Sequence, residues 1–139
     1  MARVLIAHDF RLIGGGAAAA LSEAGHDVRL MAPSPLSRVE MMAADWGASV
    51  AVLGTELRRS APEGLALVSS LKRMTCGVLV FAPPHAVTLR AACLEAGADG
   101  FARDRDAPGR VVALVEHIER GEPVLSQAER GQIVYDGLA

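Results

Sequence analysis

Short apolar runs alternate with helix-like stretches along this 139-residue chain. Three runs, Val4–Ala7, Val50–Leu53 and Val78–Phe81, are apolar at every position, which is typical of strands buried on both faces. Two further strand-like runs lie at Val28–Met31 and Gly100–Ala102. Strands that alternate with helices favour a parallel sheet with crossover connections. The pattern therefore predicts an α/β fold: a flavodoxin-like, doubly wound sheet of five parallel strands in order 2-1-3-4-5, with helices on both faces.

Apolar residues at helical spacing predict one helix after each strand. Proline at a helix start and glycine just past a helix end support the boundaries of the later helices. A polar loop is expected at Gly54–Pro62. The predicted helices are Leu12–Ala24, Leu36–Trp46, Leu65–Met74, Val87–Ala96 and Pro108–Gly121.

Composition excludes several classes of function. A net charge of -2 and a pI near 6.1 argue against a nucleic-acid-binding surface within these residues. No apolar run approaches the roughly 20 residues that a membrane span needs, and the apolar start is too short for a secretory signal. Cys76 and Cys93 have no metal-ligand spacing and apolar neighbours, so we expect two reduced cysteines in the core of a cytoplasmic protein.

Polar residues follow the first strand, at the edge where ligands bind in open parallel sheets. Asp9 is expected to pair with Arg103 or Arg105 or with loop amides; as a single carboxylate it would hold a cation only weakly. His8 is expected to be a partly exposed histidine, with a titrating switch as the alternative interpretation. Gly14 begins a glycine run that would either bind an anion or pack closely.

Three segments resemble the receiver domains of two-component response regulators: RVLIAHDF from Arg3, AGADGF from Ala96 and ERGEPVLS from Glu119. The closest resemblance is to the NarL/FixJ-like subfamily, whose receiver precedes a LuxR-type helix-turn-helix. It implies a receiver-like domain over residues 1–121. Residues 122–139 would then be a linker and the possible start of a truncated DNA-binding domain. Ser126 and Glu129 form a capping-box pattern that predicts a helix there.

The chemistry of such receivers uses an acidic pair for Mg²⁺, an Asp that accepts the phosphoryl group, a Ser or Thr, and a Lys. In this chain the acidic pair corresponds to His8 and Asp9, and the acceptor corresponds to Gly54. The hydroxyl and lysine positions correspond to Ala82 and Asp104. The resemblance therefore predicts an atypical receiver whose phosphorylation pocket has degenerated, with no catalytic residues and no metal.

Other residues near this edge are candidate ligand or phosphomimic contacts: Gly14, Thr55, Glu56 and Arg103. A carboxylate at Glu56 could imitate a phosphoryl charge, or it could be a solvated loop residue. Arg103 could bind an anion, or it could belong to a charged exposed face.

The sequence thus predicts a non-enzymatic pseudo-receiver that works without phosphorylation as the regulatory and dimerisation module of a transcription regulator. We expect a homodimer that contacts DNA only through a C-terminal domain outside this chain. The input would be a small molecule or a protein, with no cofactor and no membrane contact. A cobalamin-type or metabolite-sensing flavodoxin-like module is the alternative, although His8-Asp9 lies at the wrong spacing from Gly14. A nucleotide-binding domain is disfavoured because no acidic residue ends the second strand.

Overall fold

The apolar runs pair as a five-stranded parallel sheet in the order β2-β1-β3-β4-β5, which confirms the predicted topology. The computed structural model describes residues 1–9, 11–54 and 61–138. All four neighbouring strand pairs are parallel. The strands are β1 (Arg3–Ala7), β2 (Asp27–Met31), β3 (Val50–Leu53), β4 (Gly77–Phe81) and β5 (Gly100–Ala102).

Six helices lie in the described residues, five of them between or after the strands as predicted and the sixth in the C-terminal tail. They are α1 (Arg11–Glu23), α2 (Leu36–Trp46), α3 (Ala61–Arg73), α4 (Val87–Ala96), α5 (Pro108–Glu119) and α6 (Gln127–Gly137).

The start of α3 corrects the predicted loop. The helix begins at Ala61 rather than at Leu65, so Pro62 lies in its first turn. Proline is tolerated there because the first helical N–H groups have no partner within the helix. Glu63 also lies in this turn, where a carboxylate interacts favourably with the helix dipole. Ala61 and Pro62, which were predicted as the end of a loop, therefore begin the helix.

Two apolar layers cover the two faces of the sheet. The layer under α1 and α5 contains Leu21 and Val115, packed on Ile6 and Val52 of the sheet. The layer under α2, α3 and α4 is built on the alternate residues of the same strands, such as Leu5. Because side chains alternate across a strand, each central strand supplies both layers. This is why its sequence is apolar at every position.

The C-terminal tail packs on the domain. Val124 contacts the apolar layer under α1 and α5, and α6 lies against α4. Ile133 is buried, and a side chain at Gly137 would collide with Ala91 of α4. The predicted capping box is present, because Ser126 accepts from the Glu129 N–H and the Glu129 carboxylate accepts from the Ser126 N–H. None of the helices in the described residues could cross a bilayer.

Candidate functional site at the carboxyl edge of the sheet

The residues that correspond to the receiver pocket meet at one edge of the sheet. His8 and Asp9 follow β1, Gly54 follows β3, Ala82 follows β4 and Asp104 follows β5. Main-chain hydrogen bonds hold these strand ends together: the Gly54 N–H donates to the carbonyl of residue 7 at 2.8 Å, and the Ala82 N–H donates to that of residue 102 at 2.9 Å. The strand order therefore brings the five positions singled out in the sequence to a common edge.

His8 is buried, which corrects the expectation of a partly exposed histidine. Only 5% of the residue is exposed, and its side chain is fully covered. The imidazole meets the ring of Phe81 edge-on, with centroids 4.9 Å apart and an interplanar angle of 83°. On its other side lies Gly14 of α1, where an added Cβ would approach the His8 Cβ to 3.2 Å. The imidazole thus fills the centre of the pocket.

Gly54 has no room for a side chain. A Cβ built there would lie 2.8 Å from Cγ, 2.9 Å from Cδ2 and 3.0 Å from Cα of His8. Cβ atoms in folded proteins essentially never approach other heavy atoms to less than 3.0 Å. The space next to the backbone of Gly54 is therefore taken by the imidazole of His8.

Two carboxylates flank the two ring nitrogens of His8. Nδ1 lies 3.6 Å from Oδ1 of Asp9, and Nε2 lies 3.6 Å from Oδ1 of Asp104. The side chains of Asp9 and Asp104 are 22% and 44% exposed. Both distances are within ion-pair range and slightly long for hydrogen bonds. A positive charge on the ring would be attracted by both neighbours.

Two further positions singled out in the sequence differ in exposure and partners. Ala82 is buried and presents a methyl group to the edge. Arg103 lies against Asp106: its N–H donates to Oδ2 at 2.8 Å, and its Nε lies 3.8 Å from Oδ1. Thr55 and Glu56 lie outside the described residues.

Two open clefts flank the buried histidine. One, of ≈ 580 Å³, is bounded by His8 and Asp9 together with the chain from Leu30 to Ser34. The other, of ≈ 480 Å³, lies between the loops after β4 and β5, and its polar lining is His85 with residues 103–105. Either cleft is large enough for a small molecule.

Neither a cluster of metal ligands nor an exposed thiol lies in the described residues. Within residues 1–9, 11–54 and 61–138, no three His, Cys, Asp or Glu side chains are grouped to hold a metal ion. Cys76 and Cys93 are buried and unpaired by a disulfide, as predicted. Burial raises the pKa of both thiols to about 11, so they stay protonated near neutral pH.

Sequence reasoning missed Phe81 as a wall of the pocket, because it treated this residue only as the end of a strand. Gly14 was singled out as a candidate ligand contact, and the structure places it against His8. The signal that could have found Phe81 is that Gly54, which has no side chain, follows β3 at the centre of the sheet. Such a residue leaves a space that a neighbouring ring has to fill.

The strand order and the helices on both faces define a flavodoxin-like α/β fold. A scan against protein-family models and a search of curated protein sequences each found no match. Solved structures do match. A LuxR family DNA-binding response regulator from Silicibacter pomeroyi is 27% identical, has a TM-score of 0.67, and the match covers 92% of this chain and 99% of that one.

Two further structures extend the comparison. A LuxR family two-component response regulator from Aurantimonas sp. SI85-9A1 is 18% identical at a TM-score of 0.72, over 98% of this chain and 96% of that one. The signal receiver domain of a modulated diguanylate cyclase from Desulfovibrio desulfuricans G20 is 16% identical at a TM-score of 0.73, over 87% and 95%. The structural neighbours are thus response-regulator receiver domains, and they support a regulatory module of that kind for this chain.

Proposed function

We propose that this chain is a pseudo-receiver that works without phosphorylation, as the regulatory and dimerisation module of a transcription regulator in the cytoplasm. The observation that carries the proposal is the contact between Gly54 and His8. A typical receiver forms an acyl phosphate on a carboxylate at the position of Gly54. Here that position has no nucleophile, and the imidazole occupies the space beside it.

The other differences from a typical receiver also argue against phosphorylation. Phosphoryl transfer depends on positioning and on neutralising the developing charge. Ala82 offers no hydroxyl, and Asp104 would repel a phosphoryl group where a lysine would attract it. Asp9 alone is a poor Mg²⁺ site because this ion gives up its waters reluctantly. We therefore infer that the edge neither binds Mg²⁺ tightly nor accepts a phosphoryl group.

The test is phosphorylation with a small donor. Wild-type protein is incubated with Mg²⁺ and acetyl phosphate, and intact mass is recorded. A parallel sample receives beryllofluoride and is followed by amide NMR. We expect no covalent adduct and no beryllofluoride-dependent shift near Asp9 and Gly54. A phosphoryl adduct on the wild-type chain would overturn the proposal.

The matched control rebuilds the pocket. A variant that combines His8→Asp, Gly54→Asp, Ala82→Ser and Asp104→Lys restores every group that the resemblance implies. If it folds, as judged by circular dichroism, we expect it to gain a phosphoryl group under the same conditions. An unphosphorylated wild type beside a phosphorylated rebuilt variant would attribute the loss of activity to these four positions.

Dimerisation is proposed through the surface formed by α1 and α5, which pack side by side. Leu12 of α1 is 93% exposed, and Ala19 and Ala113 are exposed on the same pair of helices. Small residues allow close approach of a second copy, and an exposed leucine gives it an apolar contact. Sedimentation equilibrium of Leu12→Glu tests this. We expect a monomer, whereas Met41→Glu on the opposite face of the sheet leaves the dimer intact.

DNA contact would come from a domain outside residues 1–139, connected through residues 122–139. The net charge of -2 gives this chain little attraction for phosphates. The input at the edge would be a small molecule or a protein.

A further inference from the structure

The cleft between the loops after β4 and β5 combines positive charge with an apolar wall. It encloses ≈ 480 Å³, a volume within the range of small-molecule pockets. We propose that this cleft binds a small organic anion, in which a carboxylate or phosphate group is carried on a flat apolar group. The inference rests on the proposed function, because it names the chemical class of the small molecule that acts as input at this edge.

The lining of the cleft carries more positive than negative charge. Arg103 and Arg105 supply two cations, and Asp104 is the one carboxylate among the lining residues. The whole chain, in contrast, has a net charge of -2. The Asp104 carboxylate lies beside the buried His8 ring, with Oδ1 3.6 Å from Nε2. An anion in the cleft is therefore expected on the two arginines.

Both guanidinium groups have donors left for a ligand. Arginine carries five N–H donors in a fixed fork, which matches the paired oxygens of a carboxylate or phosphate. The Arg103 side chain is 61% exposed, and its ion pair with Asp106 involves only Nε, at 3.8 Å. Within the part of the chain that the structure describes, the terminal nitrogens of Arg103 and the side chain of Arg105 make no hydrogen bond or ion pair.

A turn closed by two hydrogen bonds carries these arginines. The Asp106 N–H donates to the Arg103 carbonyl at 2.9 Å, and the Arg103 N–H donates to Oδ2 of Asp106 at 2.8 Å. The same carboxylate lies 3.9 Å from Nε of Arg110, which connects the turn to α5. The backbone of residues 103–106 is therefore held in place without a ligand.

The opposite wall of the cleft is apolar and has few conformations open to it. It contains Phe81, Pro83 and Pro84, and His85 adds a polar ring. The two prolines have a fixed φ, and the Ala86 N–H closes the loop by donating to the Pro83 carbonyl at 3.0 Å. A flat hydrocarbon group that packs on these rings would be removed from water, which favours binding.

The two walls are joined at their base. The Ala82 N–H, at the start of one loop, donates to the carbonyl of Ala102, at the start of the other, at 2.9 Å. Binding between two such loops costs little ordering of the backbone. A neutral molecule would gain the apolar contacts without those of the arginines, and a bare inorganic anion would gain only the latter. The cleft should therefore prefer molecules that have both parts.

The experiment is an amide NMR titration of the whole 139-residue chain with benzoate, phenyl phosphate and benzyl alcohol. The first two probes carry an anion on a flat ring, whereas benzyl alcohol carries the ring without the charge. We expect the two anions to shift the amides of residues 85–86 and 103–105 saturably in the millimolar range. Benzyl alcohol should bind at least about tenfold more weakly, because it makes no charge-assisted hydrogen bonds. Comparison of the two anions distinguishes a carboxylate ligand from a phosphate ligand.

Matched variants assign the contact to the arginines of the cleft. Arg103→Gln combined with Arg105→Gln should weaken the binding of both anions by about tenfold. The control combines Arg38→Gln with Arg73→Gln, which removes the same charge from exposed positions on α2 and α3. This control should bind the anions as the wild type does, and circular dichroism checks that both variants fold.

Three results would overturn the proposal. The first is the absence of saturable shifts with both anions, and the second is binding of benzyl alcohol as tight as that of the anions. The third is an equal loss of affinity in the cleft variant and in the control variant, since this would attribute the binding to the overall charge of the chain.

The outcome is separable from that of the phosphorylation test. Benzoate has no phosphoryl group to transfer, so its binding is measured independently of phosphorylation. A phosphoryl adduct found by mass after incubation with acetyl phosphate would refute the proposed function whatever the cleft binds. A wild type without adduct, whose amides ignore both anions, would leave the pseudo-receiver intact and refute only the anion site.

Discussion

Adding a methyl group at Gly54 tests the central contact of the site. The backbone of Gly54 is not left-handed, so alanine meets no conformational strain there. At such positions Gly→Ala normally stabilises a protein by about 0.4–1 kcal/mol, because it restricts the unfolded chain. Here the new Cβ would lie 2.8 Å from Cγ and 3.0 Å from Cα of His8. Overpacking of this kind costs about 1–3 kcal/mol, so the sign of the effect should reverse.

The magnitude should depend on the histidine. With about 2 kcal/mol lost in Gly54→Ala, the melting temperature should fall by roughly 6–8 °C for a domain of this size. In a His8→Ala background the ring atoms Cγ and Cδ2 are gone, and the new methyl group meets only the backbone of residue 8. We expect the cost to fall to about 1 kcal/mol or less, which is a coupling of at least roughly 1 kcal/mol.

The assay is a double-mutant cycle of urea and thermal unfolding. Gly15→Ala is the control, since a Cβ there meets nothing within 4 Å and alanine in a helix gains about 0.5–1 kcal/mol over glycine. A stabilising Gly54→Ala, or an equal cost in both backgrounds, would refute the contact between Gly54 and the His8 ring.

Three further changes test other parts of the molecule. Because burial raises the pKa of Cys76 and Cys93 to about 11, the folded protein keeps protons that the unfolded chain loses above pH 9. The free energy of unfolding should fall by about 2–3 kcal/mol per thiol between pH 9 and 11. A variant with both cysteines replaced by alanine, unfolded in urea, should lack this pH dependence. His26→Leu should lower the free energy of unfolding in urea by about 2–3 kcal/mol. The main-chain N–H of residue 2 loses its acceptor, and the Glu116 carboxylate loses the His26 ring nitrogen that lies 2.9 Å away. Glu116→Gln should lower the free energy of unfolding by less. Gly137→Leu should push α6 off α4, seen as faster hydrogen exchange in residues 127–137 with unchanged protection of the sheet.

The fold could be predicted almost completely from the sequence. Val50–Leu53 is apolar at all four positions because the strand supplies both layers, and this pattern is visible in a single sequence. The start of α3 could not be predicted as well, because Pro62 and Glu63 suit both a loop and a first helical turn. Helix boundaries are set by capping and packing rather than by apolar spacing alone.

The site could be predicted in position but not in packing. The order of the strands was enough to bring His8, Gly54 and Asp104 to one edge. The depth of His8 was not predictable, because the residue after a strand can turn towards solvent or inwards. The direction of the His8 side chain depends on the space beside Gly54 and Gly14. That space forms only when β1, β3 and α1 pack together.

The proposed departures from the receiver pattern are easier to understand as one change than as separate losses. Removing the side chain at Gly54 would leave a cavity at the centre of the edge, and the His8 imidazole fills it. An imidazole there would face a lysine from the loop after β5, and like charges would repel whenever the ring is protonated. With Asp104 in that place, the ring has a carboxylate at 3.6 Å on each side. Single reversions should therefore fail: Gly54→Asp alone collides with His8, and Asp104→Lys alone places a cation against the ring. Only the combined replacement restores a pocket in which each group has a compatible neighbour.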